Sequence, residues 1–90
     1  MRASIVITGL VQGIFFRATA KEIAATHSIK GWIKNLSTGR VECTVEGLKT
    51  GVEEFVRWCH QGPKGAAVKD VKVEWKQYSG EFKEFVVIYP

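Results

Sequence analysis

Two polar side chains have types and positions that suit joint chemistry: the guanidinium of Arg17 and the carboxamide of Asn35. Arg17 closes the run Gly9-Leu10-Val11-Gln12-Gly13-Ile14-Phe15-Phe16-Arg17, which lies between a β-type segment and the onset of helical spacing. The first N–H groups of a helix have no partner inside it and face the space ahead of it. A turn with two glycines can curl further N–H groups into the same concavity, and the helix dipole adds partial positive charge there. An arginine about one turn in can fold its planar fork back and hold two oxygens at once. Phosphate is the natural occupant of such a loop. Taken alone, the spacing also fits a plain tight turn. It is neither a Walker loop, since no Gly-Lys-Ser/Thr follows, nor the dinucleotide-binding glycine pattern.

Asn35 belongs to a second run, Gly31-Trp32-Ile33-Lys34-Asn35-Leu36-Ser37-Thr38-Gly39-Arg40-Val41. It ends a strand just before a turn. Alternation puts it on the face of Ile33, the face expected to lie under helices, where an amide needs partners. Such an asparagine either shapes the turn or aims its carbonyl and amide at a water.

Positioning these two side chains falls to alternating segments of period 2 and period 3.6. Ser4 to Thr8 reads as a strand, broken by Gly9 to Gly13. Phe16, Ala20, Ile23, Ala24 and His27 then share one helical face, and Ser28 to Gly31 ends that helix. Trp32 to Asn35 and Arg40 to Glu46 form a hairpin about Leu36-Ser37-Thr38-Gly39. In its second strand Val41, Cys43 and Val45 face one way, and Arg40, Glu42, Thr44 and Glu46 the other. Thr50 and Glu53 match a capping box, so a second helix is expected to start at Thr50. Val52, Phe55, Val56 and Cys59 give it an apolar face, and Gly62-Pro63 stops it. Val71, Val73 and Trp75 alternate with lysines and glutamate in a fourth strand, and Phe85 to Tyr89 is a fifth. The order β-α-β-β-α-β plus a terminal strand predicts an α+β fold. It fits a ferredoxin-like split βαβ sandwich with two helices on one face of a mainly antiparallel sheet. The pattern does not place the fifth strand.

The bulk composition narrows the function classes. Ninety residues suffice for one domain, expected to span 1–90. Hydrophobic content of 46% against 24% charged excludes a disordered composition. No apolar run approaches the ~20 residues of a membrane helix, and the opening Met1-Arg2-Ala3-Ser4-Ile5 lacks a secretory pattern, so a cytoplasmic protein is expected. The net charge of +4 suits an anionic partner without naming one, because the basic residues are scattered. Cys43 and Cys59 lack metal-ligand spacing and fall at apolar positions, as buried free thiols do, with a bond between the two as the alternative. His27 and His60 belong to no ligand-spaced cluster, so no metal site is expected.

Both runs resemble the signature motifs of acylphosphatases. The first is similar to Gly-x-Val-Gln-Gly-Val-x-Phe-Arg. The second is similar to Gly-aromatic-small-basic-Asn, three residues, Gly-x-Val, five residues and Gly, the last being Gly47. Length, element order and the Gln61-Gly62-Pro63 stop extend the resemblance over nearly the whole chain. Ile14 stands where the family usually has Val and Ile33 where it has a smaller residue, changes that packing absorbs at ~1 kcal/mol or less. Leu10 replaces a frequent Arg, which puts the affinity for anionic substrates in question.

The resemblance implies hydrolysis of acyl phosphates. It makes Arg17 the phosphate-binding catalytic arginine and Asn35 the residue that positions the attacking water. The backbone amides of Gln12, Gly13, Ile14, Phe15 and Phe16 line the phosphate site, and Thr38 is near enough in sequence to assist Asn35. It also implies a monomer with no cofactor. Chemistry makes so sparse a site sufficient. The leaving group is a carboxylate, stable without a proton, and phosphoryl transfer is mostly positioning and electrostatics. In-line alignment supplies up to ~7–11 kcal/mol, and an arginine on the transferring oxygens ~10³–10⁵ in rate.

Two other classes fit less well. An RNA-binding module of this topology needs aromatics on its central strands, where this chain has Ser4, Val6, Thr8, Arg40, Glu42, Thr44 and Glu46. A non-catalytic anion sensor would not need Asn35 alongside Arg17.

Overall fold

Alternation in the first segment drives Ala3, Ile5 and Ile7 onto one face, where all three are fully buried. A computed structural model describes residues 1–89. It contains β1 (Arg2–Leu10), α1 (Phe16–Thr26), β2 (Lys30–Asn35), β3 (Val41–Glu46), α2 (Lys49–Gln61), β4 (Ala67–Lys76) and β5 (Phe85–Ile88). The sheet order is β4-β1-β3-β2-β5. The β1–β3, β1–β4 and β2–β3 pairs are antiparallel, and β5 runs parallel to β2 with Gly31 opposite Phe85 and Lys34 opposite Ile88. This is the expected ferredoxin-like α+β arrangement, with the fifth strand now placed on the edge beside β2.

One core lies between sheet and helices. Phe16, Ala20 and Ala24 of α1 and Val52, Phe55 and Cys59 of α2 face Ile5, Ile7, Ile33, Val41, Cys43 and Val45. Tilted aromatic pairs knit the helices to each other and to β5: Phe16–Trp58 at 5.1 Å and Phe55–Phe85 at 5.8 Å. Cys43 and Cys59 are free and fully buried. The neighbouring Cys59 and burial hold the Cys43 thiol well above its ordinary range. Among the described residues no helix is long and apolar enough to cross a membrane, and no group of three or more acidic, His or Cys side chains gathers to hold a metal.

Two expected boundaries need correction, and the structure adds a cover over the sheet that the pattern does not carry. The first strand does not stop at Thr8. It runs on to Leu10, paired with β4 across a register shift between Thr8 and Gly9. Only glycine allows this: Gly9 has φ +136°, and a Cβ there would meet the Ala67 carbonyl at 2.2 Å. Thr50 does not cap α2. The helix starts at Lys49 with Leu48 as its extended cap, and the Val52 N–H donates to the Leu48 carbonyl at 2.9 Å. Thr50 therefore falls in the first turn, where its hydroxyl makes no capping bond. Finally, Thr44 and Glu46 are not on an open face: they are 5% and 3% exposed. The loop after β4 crosses this part of the sheet. The N–H groups of Ser79 and Gly80 donate to Glu46 at 2.8 and 3.1 Å, as does the Ser79 hydroxyl at 2.9 Å, and Arg2 pairs with Glu46 and Glu81. Burial alone would raise the Glu46 carboxyl, but these donors outweigh it and hold the group below its ordinary range.

Candidate active site

The loop between β1 and α1 is pinned at one end and shaped by its backbone. Val11 is 1% exposed and anchors it in the core. Gly13 has φ +75° and Phe15 φ +60°, both left-handed. A Cβ on Gly13 would meet nothing within 4 Å, so glycine is needed there for its backbone and not for space. A left-handed non-glycine residue costs on the order of 1–3 kcal/mol and persists where surrounding structure over-determines it. Burial of the ring does not offset that cost at Phe15, which is 83% exposed. The strain instead turns the chain into the helix.

Phe15 is the N-cap of α1, and the first helical bond is the Thr19 N–H to the Phe15 carbonyl at 2.9 Å. The N–H groups of Phe16, Arg17 and Ala18 are thus left without helical partners. Among the described residues, no backbone carbonyl accepts from the N–H groups of Gln12 to Ala18. No acidic side chain stands in the first turn of α1 to compete for them. The result is a row of donors at a positive helix end, a site for an anion.

Arg17, one residue into α1, is half-buried and braced by the residues that end β5. Its Nη1 donates to the Ile88 carbonyl at 3.4 Å, and its guanidinium carbon lies 4.7 Å from the centre of the Tyr89 ring. Asn35 ends β2, opposite Val41 on β3. Its Oδ1 is buried with no hydrogen-bond partner. Leaving such an acceptor unmet costs about 1–3 kcal/mol. A cleft of about 310 Å³ unites these groups, lined by Val11, Gly13, Phe15, Phe16, Arg17, Ala18, Asn35 and Tyr89.

Arg17, Asn35, Gly13, Phe15 and Phe16 are therefore brought together. The side chains of Gln12 and Ile14 are not among the lining groups. Gln12 turns toward the β2–β3 turn, where its Nε2 donates to the carbonyls of Leu36 and Arg40, both at 2.8 Å. Ile14 packs against the core. Either can offer the cleft only its backbone. Thr38 is exposed in the turn and does not line the cleft. Tyr89 was not foreseen. The only sequence signal for it was an aromatic closing the expected strand Phe85 to Tyr89, whose place in the sheet could not be read; the strand itself stops at Ile88. A somewhat larger cavity of about 380 Å³ lies elsewhere, between the chain's first residue, Lys30, Glu46 and Tyr78. It contains neither Arg17 nor Asn35.

The cleft thus combines a loop of free N–H donors, a braced arginine and a neutral acceptor on apolar walls that strengthen electrostatic interactions. Residues 3–87 match the acylphosphatase family model. The acylphosphatase of Pyrobaculum aerophilum is 44% identical over 88 residues, covering 97% of this chain and 93% of that protein. The crystal structure of acylphosphatase from Bacillus subtilis superposes with a TM-score of 0.94 at 30% identity, covering 98% of each chain. An acylphosphatase from Coxiella burnetii gives 0.90 at 32% identity, covering 97% of this chain and 90% of that one. Sequence and fold agree over almost the full length, and the chain belongs to the acylphosphatase family of hydrolases.

Proposed function

We propose that the chain hydrolyses the carboxyl–phosphate bond of acyl phosphates to a carboxylate and inorganic phosphate, with Arg17 and the loop amides holding the phosphate and Asn35 positioning the water. The observation that carries this reading is the orphaned, buried Oδ1 of Asn35 in the same cleft as Arg17. A water donating to Oδ1 satisfies the orphan and points an oxygen lone pair at a phosphorus held over the loop. The N–H groups of Gln12 to Phe16 and the Arg17 fork take the non-bridging oxygens, whose charge is spread in a loose transition state. The water oxygen bonds to phosphorus as the bridging P–O bond breaks. The bond pair leaves on the carboxylate, and both of the water's protons stay with the phosphate product, which releases one to solvent as its own acidity dictates. No acid is needed to protonate a carboxylate leaving group, and an amide suffices to orient the water.

The same reading makes residues 1–90 one catalytic unit, active as a cytoplasmic monomer without a metal or cofactor. The test is phosphate release by purified protein from acetyl phosphate and benzoyl phosphate with a strong chelator present. Turnover of both is expected; an inert protein, or activity lost to the chelator, overturns the proposal.

A further inference from the structure

The amide nitrogen of Gln12 is engaged away from the cleft, and its two partners are not arbitrary. Leu36 follows Asn35 directly, and Arg40 precedes Val41, the residue opposite Asn35 in the sheet. Leu36 and Arg40 also form the neck of the β2–β3 turn: the Leu36 N–H donates to the Arg40 carbonyl at 2.8 Å, and the Gly39 N–H to the Leu36 carbonyl at 3.1 Å. Gln12 Nε2 adds a second donor to each of those two carbonyls, using both its hydrogens. One carboxamide therefore ties the loop that offers N–H groups to the turn that ends the Asn35 strand. Within the described residues, these are the side-chain hydrogen bonds recorded between the two halves of the site.

We infer that Gln12 is a positioning residue: it sets the distance between the phosphate held on the loop and the water held by Asn35. This rests on the proposed reaction, because it assigns the two halves the roles given there. The loop keeps its shape without the tie, since Val11 anchors it in the core and Gly13 and Phe15 set its backbone. The turn keeps its own cross-strand bonds. What the tie fixes is their separation, and in-line attack is sensitive to that: a misplacement of about 1 Å can cost on the order of 10²-fold in rate.

The discriminating variant is Gln12→Met, which keeps the reach of the side chain and removes both donors. The Leu36 and Arg40 carbonyls retain their hairpin donors, so the protein should fold, which a thermal melt checks. Turnover of acetyl phosphate is expected to fall on the order of 10–100-fold, while inhibition by inorganic phosphate, which reads the loop and Arg17 alone, changes less than about twofold. In an Asn35→Ala background the same substitution is expected to add almost nothing, because the distance it sets no longer matters. Unchanged turnover in Gln12→Met, phosphate affinity lost in step with turnover, or losses that multiply in the double variant each overturn the inference and leave the proposed reaction standing. A wild type inert toward acyl phosphates overturns that reaction, and this inference with it.

Discussion

In the proposed reaction Arg17 and Asn35 divide the work, so their removal should read differently in kinetics. On that reading Arg17 meets the phosphate in both ground and transition states. Arg17→Ala is expected to raise KM and lower kcat together, with kcat/KM falling about 10³–10⁵-fold. Asn35 is assigned only the water, so Asn35→Ala is expected to lower kcat with KM for acetyl phosphate little changed. Steady-state kinetics of the two variants decides the matter, and a KM effect dominating in Asn35→Ala would contradict the assignment. Tyr89 stands one step back. Its ring faces the Arg17 guanidinium from the exposed rim, where such contacts are worth about 0.5–1 kcal/mol. Tyr89→Ala is therefore expected to weaken inhibition by inorganic phosphate about two- to fivefold, with Asn35 chemistry untouched. That Arg17 and Asn35 meet in one cleft was legible in the sequence, because residue type and spacing within the two motifs carry it. Tyr89 was not, since its approach to Arg17 exists only once β5 lies beside β2.

At the scale of elements, the site is the meeting of a strained loop with the end of a hairpin. Phe15 carries the strain. With its ring mostly in solvent, little packing is lost on replacing it with glycine, which adopts φ near +60° without a Cβ clash. Phe15→Gly is expected to raise the free energy of unfolding by about 1 kcal/mol in urea titrations; a loss of stability would show that the ring contributes more than its exposure suggests. Periodicity located all seven elements, because apolar spacing reflects which side chains a sheet or helix can bury. It misplaced boundaries where backbone context overrides local chemistry. Thr50 has the right partner three residues on, yet Leu48 supplies the cap. Gly9 looks like a break in β1, yet it is what lets that strand continue against the backbone of β4.

For the whole molecule, Glu46 is the clearest case of structure overriding pattern. Alternation assigned it correctly to the face away from the helices. It could not reveal that residues 33 and 34 positions downstream would cover that face and bond the carboxylate. Because the folded group titrates below its ordinary range, its contribution to stability is present above the unfolded value of about 4.3 and is lost as pH falls through the lower, folded value. Wild-type melting temperature is expected to be flat above about pH 5 and to fall in acid. Glu46→Gln should melt lower at neutral pH and show a shallower acid slope, and equal slopes in the two proteins would rule this carboxylate out as the source.

The brace on Arg17 also bears on the order in which the molecule becomes competent. The arginine and the carbonyl that receives its hydrogen bond are 71 residues apart. A chain emerging from the ribosome therefore presents its anion loop while the residues that steady it are still unmade. The central strand β1 waits as well, since both its neighbours, β3 and β4, come later in the sequence. On the proposed reading, the arginine that holds the phosphate gains its brace only with the docking of β5, after every other strand has been made.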